Sequence, residues 1–353
     1  MRNLQNISRP QRILLFVLLL VGGLLLICGL FVFLALLSLN PTGREQAVAQ
    51  AANFGVAEFV QLPGEDAYPA ALAVAADGTL YTASYVTGAV WAITPDGQLN
   101  EIAGTREALG SVTGMAVGAD GTLYVVDQLS ADIRAAGGIV RRISGLPDNP
   151  AISDFAQIGD ARGFVEPADI VLDAQGFVYV SDRGRGEIWR FDADGTNGAL
   201  WWAETALVAG VLPAPSGMAF DAQNNALIVV DGDANAVYRL RTADTSQEVL
   251  YLHGGRANPP GFNGVTVAAD GRVYVAMLGT RAVGYLTAST DTALQGDLAV
   301  VAGPFRGASD VAYVSVPDPR LYVTNFDQVG LVLPGIRPQL PFALDVIYPT
   351  GTP

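Results

Sequence analysis

One phrase recurs six times along this chain, and no other feature limits its fold so tightly. It reads ALAVAADGTLYTAS at 71–84, GMAVGADGTLYVVD at 114–127 and DIVLDAQGFVYVSD at 169–182. It returns as GMAFDAQNNALIVVD at 217–231, GVTVAADGRVYVAM at 264–277 and DVAYVSVPDPRLYVTN at 310–325. Successive copies begin 43 to 55 residues apart, the period of propeller blades. Within a copy, an alternating apolar run such as Met115-Ala116-Val117 predicts a strand. An Asp-Gly or Gln-Gly pair then supplies the positive φ of a tight hairpin, and a β-branched, aromatic run returns. A third strand follows, as in 89–93, 187–191 and 236–240, and a turn such as Pro95-Asp96-Gly97 leads to an outer strand such as 99–102. Four short strands per repeat, with no long helical period between them, predict an all-β, six-bladed β-propeller over residues 55–353. Glu58-Phe59-Val60-Gln61-Leu62 is the expected outermost strand of the sixth blade, latching the ring. Residues 342–347 compete for that place. The N-terminal segment is preferred because Leu62-Pro63-Gly64 leads into the first blade as Ile102-Ala103-Gly104 leads into the second.

Ahead of the ring, residues 13–39 read ILLFVLLLVGGLLLICGLFVFLALLSL without a charge. As a helix this run spans about 40 Å, more than the roughly 30 Å of a bilayer core. Arg2, Arg9 and Arg12 precede it, and no acidic residue occurs in the first forty. Positive flanks stay cytoplasmic, so residues 1–12 are expected inside, 13–39 across the membrane, 40–54 as a tether, and the ring on the extracytoplasmic side. Cleavage is the rival reading, with Ala47-Val48-Ala49 as its small-residue site. The apolar run exceeds the roughly 7–15 residues of a signal-peptide core, and that triplet lies well beyond it. Cys28 is the only cysteine, so no intrachain disulfide exists and core burial must hold the ring together.

The chain beyond the apolar run carries all 34 acidic residues; lysine is absent, and of 20 arginines all but Arg2, Arg9 and Arg12 lie beyond that run. This balance argues against nucleic acid as a partner. A Gly-rich phosphate loop, a GxSxG elbow, a paired-histidine motif and a ring thiol are all missing, so no catalytic residue is assigned.

The third copy, EPADIVLDAQGFVYVSDRGRGEIWRFDADG, and the stretch PSGMAFDAQNNALIVVDGDANAVYRL resemble NHL-type repeats. Most of residues 55–348 is similar to the six-bladed propeller superfamily of NHL proteins, gluconolactonases of the senescence-marker type and strictosidine-synthase-like proteins. The resemblance implies a fold more than a function, because this ring hosts hydrolases, a condensing enzyme and binding modules. In the lactonases it implies a divalent metal, usually calcium, held by Glu, Asn and Asp just before the innermost strands. The matching positions here are Ala70, Thr113, Ala168, Ser216, Asn263 and Ser309. Only Asn263 keeps a family-type ligand, and one amide cannot hold calcium.

A rearranged site has its own candidates. Asp169 and Asp310 occupy a slot that holds glycine in three other copies, and Ser84, Asp127, Asp182, Asp231, Met277 and Asn325 end the second strands. Propeller topology brings both sets to one face, around the channel mouth. Asp127, Asp169, Asp182, Asp231 and Asn263 are therefore the candidate metal ligands, with calcium as the candidate cofactor. The alternative is that an Asp after a strand caps the next turn. His253 and Arg256, in the loop that ends at Asn263, are candidate ligand-binding residues together with Asp127, Asp182, Asp231, Asn263 and Asn325. Trp201 and Trp202 stand side by side in an outer strand, so one ring is expected between blades and its neighbour outward. Two functions remain open: a membrane-anchored propeller that binds a small-molecule or protein ligand at the mouth, and a metal-dependent lactonase or esterase with a rearranged site.

Overall fold

The computed structural model describes residues 9–39, 45–203, 206–254, 257–287, 296–333 and 335–351. Two compact units result, one of Met1–Arg44 with Gln328–Gln339 and one of Glu45–Asp327 with Leu340–Pro353. In the first, α1 runs from Arg9 to Leu39, and Leu26 and Phe31 leave about three quarters of their surface exposed. Among the described residues it is the one helix long and apolar enough to cross a membrane. A helix exposed and apolar all round suits lipid, because its backbone groups are satisfied internally.

The second unit is the ring, and it has the six blades expected of the repeat. Blade 1 holds Pro69–Val74, Leu80–Ser84, Val90–Ile93 and Leu99–Glu101. Blade 2 holds Val112–Val117, Leu123–Asp127, Ile139–Ser144 and Ala151–Ala156. Blade 3 follows with Pro167–Leu172, Val178–Asp182, Glu187–Phe191 and Ala199–Ala203. Blade 4 has Pro215–Asp221, Ala226–Asp231, Ala236–Arg241 and Gln247–Leu252. In blade 5, Phe262–Val267, Val273–Met277, Ala282–Thr287 and Asp297–Gly303 gain a fifth strand, Val48–Ala49, from the stretch expected to be a tether. All pairings are antiparallel, and the first strands of successive blades touch in order, blade 6 returning to blade 1. The channel therefore runs down the middle of the ring.

Closure uses both chain ends. In blade 6, Val311–Val314 and Arg320–Thr324 are joined by Ala343–Pro349 as third strand and Phe54–Gln61 as fourth. The N-terminal segment is the outermost strand, as expected, and the C-terminal one lies inside it, so the two do not compete. Pairing runs from Phe54↔Pro349 to Gln61↔Ala343. Each end of the domain covers an edge that the other would leave open.

The core is divided among the blade interfaces. Leu72, Leu80 and Ile93 of blade 1 meet Tyr322, Leu344 and Val346 of blade 6, with Phe59 and Val60 packed against them. Comparable clusters fill the other five interfaces. Trp202 is buried and lies 5.2 Å from Tyr238 between ring centroids, whereas Trp201 sits edge-on to Tyr179 at 4.8 Å. Both rings join the interface of blades 3 and 4, which corrects the expectation that one faces outward. The register shifts here, Ile188 opposing Trp202 and Trp189 opposing Leu200, so Trp201 has no partner across the ladder. Such a bulge lets two adjacent side chains turn to one side.

Phe54–Gln61 contributes Phe54, Val56, Phe59 and Val60 to two of these clusters. Removing residues up to Leu62 should lower the melting temperature by about 10 °C or more, from roughly 1.5–3 kcal/mol per buried apolar side chain. Removing Thr350–Pro353 should change it little. Thermal unfolding followed by circular dichroism compares the two, and equal losses would contradict the latch.

Candidate functional site

The second strands end in a row of polar side chains, and each does the same mechanical work. Asp127 Oδ1 accepts the N–H groups of Gly110 at 3.0 Å, Ser111 at 3.1 Å and Leu129 at 2.8 Å. Its Oδ2 accepts from Arg141 Nε at 3.1 Å, and Arg141 also pairs with Asp154. Asp182 accepts from Val165 at 2.8 Å, Glu166 at 2.9 Å and Arg185 at 3.1 Å. Asp231 accepts from Ala214 at 2.9 Å, Asp233 at 2.8 Å and Ala234 at 2.7 Å. Ser84 accepts from Val86 and Thr87 and donates to the Asp66 carbonyl. Asn325 Oδ1 accepts from Arg306 N–H at 2.9 Å while its Nδ2 donates to Ala343 O and Asp345 Oδ2. In each clamp the second-strand residue grips the loop arriving from the preceding blade; all but Asn325 also hold the turn that follows. Met277 has no acceptor side chain, and in blade 5 the Leu278 N–H reaches the Gly261 carbonyl instead.

All five clamp residues are buried. Burial pushes the Asp182 carboxyl up, against the lowering effect of its three backbone donors. The turn-capping alternative thus describes Asp127, Asp182 and Asp231, with the addition that the cap reaches back across the blade.

Asp169 and Asp310 act between blades. Asp169 Oδ2 accepts the Met218 N–H of blade 4 at 2.7 Å, and Asp310 Oδ2 accepts the Leu72 N–H of blade 1 at 2.7 Å. The remaining oxygens accept Ile170 and Val311 N–H at 2.8 Å. On the other side of each stands a glycine. A Cβ on Gly114 would lie 2.5 Å from Asp169 Cα, and one on Gly264 would lie 2.3 Å from Asp310 Oδ1. Neighbouring first strands approach this closely only because those positions carry no side chain.

Blades 3 and 6 are opposite members of a six-membered ring, so the two carboxyls face one another across the channel. With Ala70, Thr113, Ala168, Ser216 and Asn263 they line a cavity of about 20 Å³, about the room one water needs. Both keep some surface open to the lumen, yet they sit deep in the ring. Burial first, then the charge of Asp310, holds the Asp169 carboxyl well above the usual carboxylate range. Burial pushes Asp310 up to about 7, partly countered by the Leu72 and Val311 N–H groups. Away from this constriction the channel widens to about 210 Å³, walled mainly by aliphatic residues such as Val74, Met115, Val171, Met218 and Val265.

The donor set does not fit calcium, which takes six to eight oxygens. Thr113 and Ser216 hydroxyls donate to the Pro167 and Val230 carbonyls, and Ser309 donates to Ala70 O. Asp127, Asp182 and Asp231 each work within their own blade, and the described residues contain no group of three or more His, Cys, Asp or Glu side chains placed to hold a metal. The set Asp127, Asp169, Asp182, Asp231 and Asn263 is therefore not gathered into one site; only Asp169 and Asn263 share the cavity. His253 lies just beyond the outer strand of blade 4, its Nδ1 3.1 Å from the Tyr251 hydroxyl, and is not in the cavity wall. Arg256 lies outside the described residues. Asp310, which fills the same glycine slot as Asp169 but is not among the five candidate ligands, is the residue that shares the constriction with Asp169; that slot was the signal for it.

Residues 119–254, from the hairpin of blade 2 to the end of blade 4, match the family described as lactonase, seven-bladed β-propeller; the ring itself has six blades. No curated protein sequence matches. A gluconolactonase from Xanthomonas campestris is 15% identical with a TM-score of 0.57, covering 88% of this chain and 97% of that one. The major allergen of Malassezia sympodialis is 14% identical with a TM-score of 0.60, covering 85% and 96%. Virginiamycin B lyase from Staphylococcus aureus is 15% identical with a TM-score of 0.52, covering 77% and 82%. At such identities the likeness is one of fold alone.

Two outcomes follow from the bonding. Asp182→Ala strands three backbone donors and should destabilise the ring by about 2–4 kcal/mol, read as a lower urea midpoint; an unchanged midpoint would contradict the clamp. The Asp310 carboxyl keeps its proton to about pH 7 in the fold but not above its ordinary value of 3.8 when unfolded. The native state therefore binds more protons between those values, and stability falls as pH rises through that window. Asp310→Asn should flatten the wild-type decline between about pH 4 and 7; parallel urea-midpoint curves would contradict the assignment.

Proposed function

We propose that this chain is a single-pass membrane protein whose propeller, on the extracytoplasmic side, binds a small-molecule or protein ligand. The observation that carries the reading is the commitment of the strand-end acids to backbone N–H groups. Chemistry at a channel mouth needs groups free to act on a substrate, and Asp127, Asp182 and Asp231 are engaged in holding loops. What surrounds the mouth is small and neutral (Thr113, Ser216, Asn263) apart from the Asp169 and Asp310 pair. That composition suits recognition on a rigid scaffold more than hydrolysis. Arg9, Arg12 and the uncharged run behind them support an anchor with its N-terminus in the cytoplasm.

A second reading, a lactonase-type hydrolase, draws on the family match over residues 119–254. The two part on one comparison with the full chain in detergent. The binding reading expects the same melting temperature in calcium and in chelator, and no turnover of sugar lactones or aryl esters. Turnover that requires calcium and is lost in Asn263→Ala would overturn it in favour of the hydrolase.

A further inference from the structure

The route of the chain into the ring singles out one of its two faces. First strands begin, and second strands end, on the face that bears the clamps. Glu45 pairs with Arg281, which directly precedes the third strand of blade 5 and so lies on this face. Val48 opposes Gly303, the last residue of that blade's outer strand. The chain then descends the outside of the ring to Asn53 and climbs again as Phe54–Gln61. Five residues, 40–44, separate Leu39 from Glu45, a link that extends to about 22 Å at most. With the apolar run as an anchor, this lead keeps Glu45, at the blade 5 edge of this face, within about 22 Å of the end of that run.

The same face presents bare aliphatic side chains where the ring's own packing does not use them. Leu129 is 53% exposed, Ile133 54% and Leu212 81%. The first two lie in the connection after the second strand of blade 2, and Leu212 just before the first strand of blade 4. Blade 2 stands opposite blade 5, so Leu129 and Ile133 lie across the face from the lead, and Leu212 lies nearer to it, at the entry to blade 4. Leu129 is also held at φ +66°, a conformation unfavourable for a bulky residue, by its bond to Asp127. Glycine or asparagine would fit that backbone better, so the leucine is there at a cost to the fold. Toward the opposite face, Val316 in the hairpin of blade 6 is 72% exposed and Leu200, near the start of the outer strand of blade 3, is 50% exposed.

We propose that the clamp-bearing face of the ring rests on the surface of the bilayer that anchors the chain, with Leu129, Ile133 and Leu212 in its interfacial layer. This rests on the anchor reading above. Exposed aliphatic loops with an acidic, lysine-free ring behind them suit zwitterionic lipid, where apolar burial rather than charge supplies the attraction. A ligand reaching Asn263 from this face then comes from the lipid side.

The test uses the full chain in phosphatidylcholine nanodiscs, with Cys28→Ser as background and a fluorophore at Leu212→Cys or Val316→Cys. Quenching by headgroup-attached nitroxide lipid should be several-fold stronger at 212 than at 316. Equal quenching in protein that resists carbonate extraction would overturn the docking while leaving the anchor in place. Release by carbonate would remove the anchor and the proposal together. Shielding of 212 from a soluble quencher without quenching by the lipid would give the face to a second copy or another protein, and would also overturn it.

Discussion

The ring depends on a buried acceptor at the end of the second strand in five of its six blades. A loop that connects two blades brings backbone N–H groups into the protein, and each must find a partner there. Asp182 supplies one set from a single carboxylate, reaching Val165, Glu166 and Arg185. Burying that charge is costly, and the charge-assisted bonds offset the cost. Because the loop so held arrives from the preceding blade, the clamp also fixes how one blade follows another. Repetition of the device in five blades gives the mouth a rigid rim, and rigidity is what a recognition surface needs.

Asp169 and Asp310 extend the same logic from loops to strands. Each gives one oxygen to its own blade and the other to the next. Gly114 and Gly264 make room for them. The pair occupies opposite blades, so two cross-braces divide the ring evenly. The result is a channel closed to the width of a water at one level and, below it, open and walled mainly by aliphatic residues. Burial in this constriction raises the proton affinity of both carboxyls, and the charge of Asp310 adds to the effect at Asp169.

The blades were legible because their signal is local. A hairpin turn and the two runs that flank it lie within about fifteen residues of one another, and strand alternation is a nearest-neighbour property. What the sequence hid is set by partners far away. Asp127 caps the turn at Leu129, which is local, but its grip on Gly110 spans 17 residues and depends on where that loop comes to rest. The same residue types in the same positions read equally well as metal ligands until those donors are located. The Trp201 and Trp202 arrangement turns on a bulge set by the pairing with Ile188 and Trp189. The pairing of Val48–Ala49 with blade 5 involves too few residues to show a strand period. At the closing blade, both terminal segments read as strands and the N-terminal one as the outermost; that the C-terminal one lies inside it required the fold.

The central claim is that the channel-mouth acids are structural and that the clamps close without a metal. Amide hydrogen exchange at Gly110, Ser111, Val165, Glu166 and Ala214 tests it directly, because these are the N–H groups that the acids hold. The account predicts strong protection in chelator, unchanged by added calcium. Protection that appears only when calcium is present would contradict it.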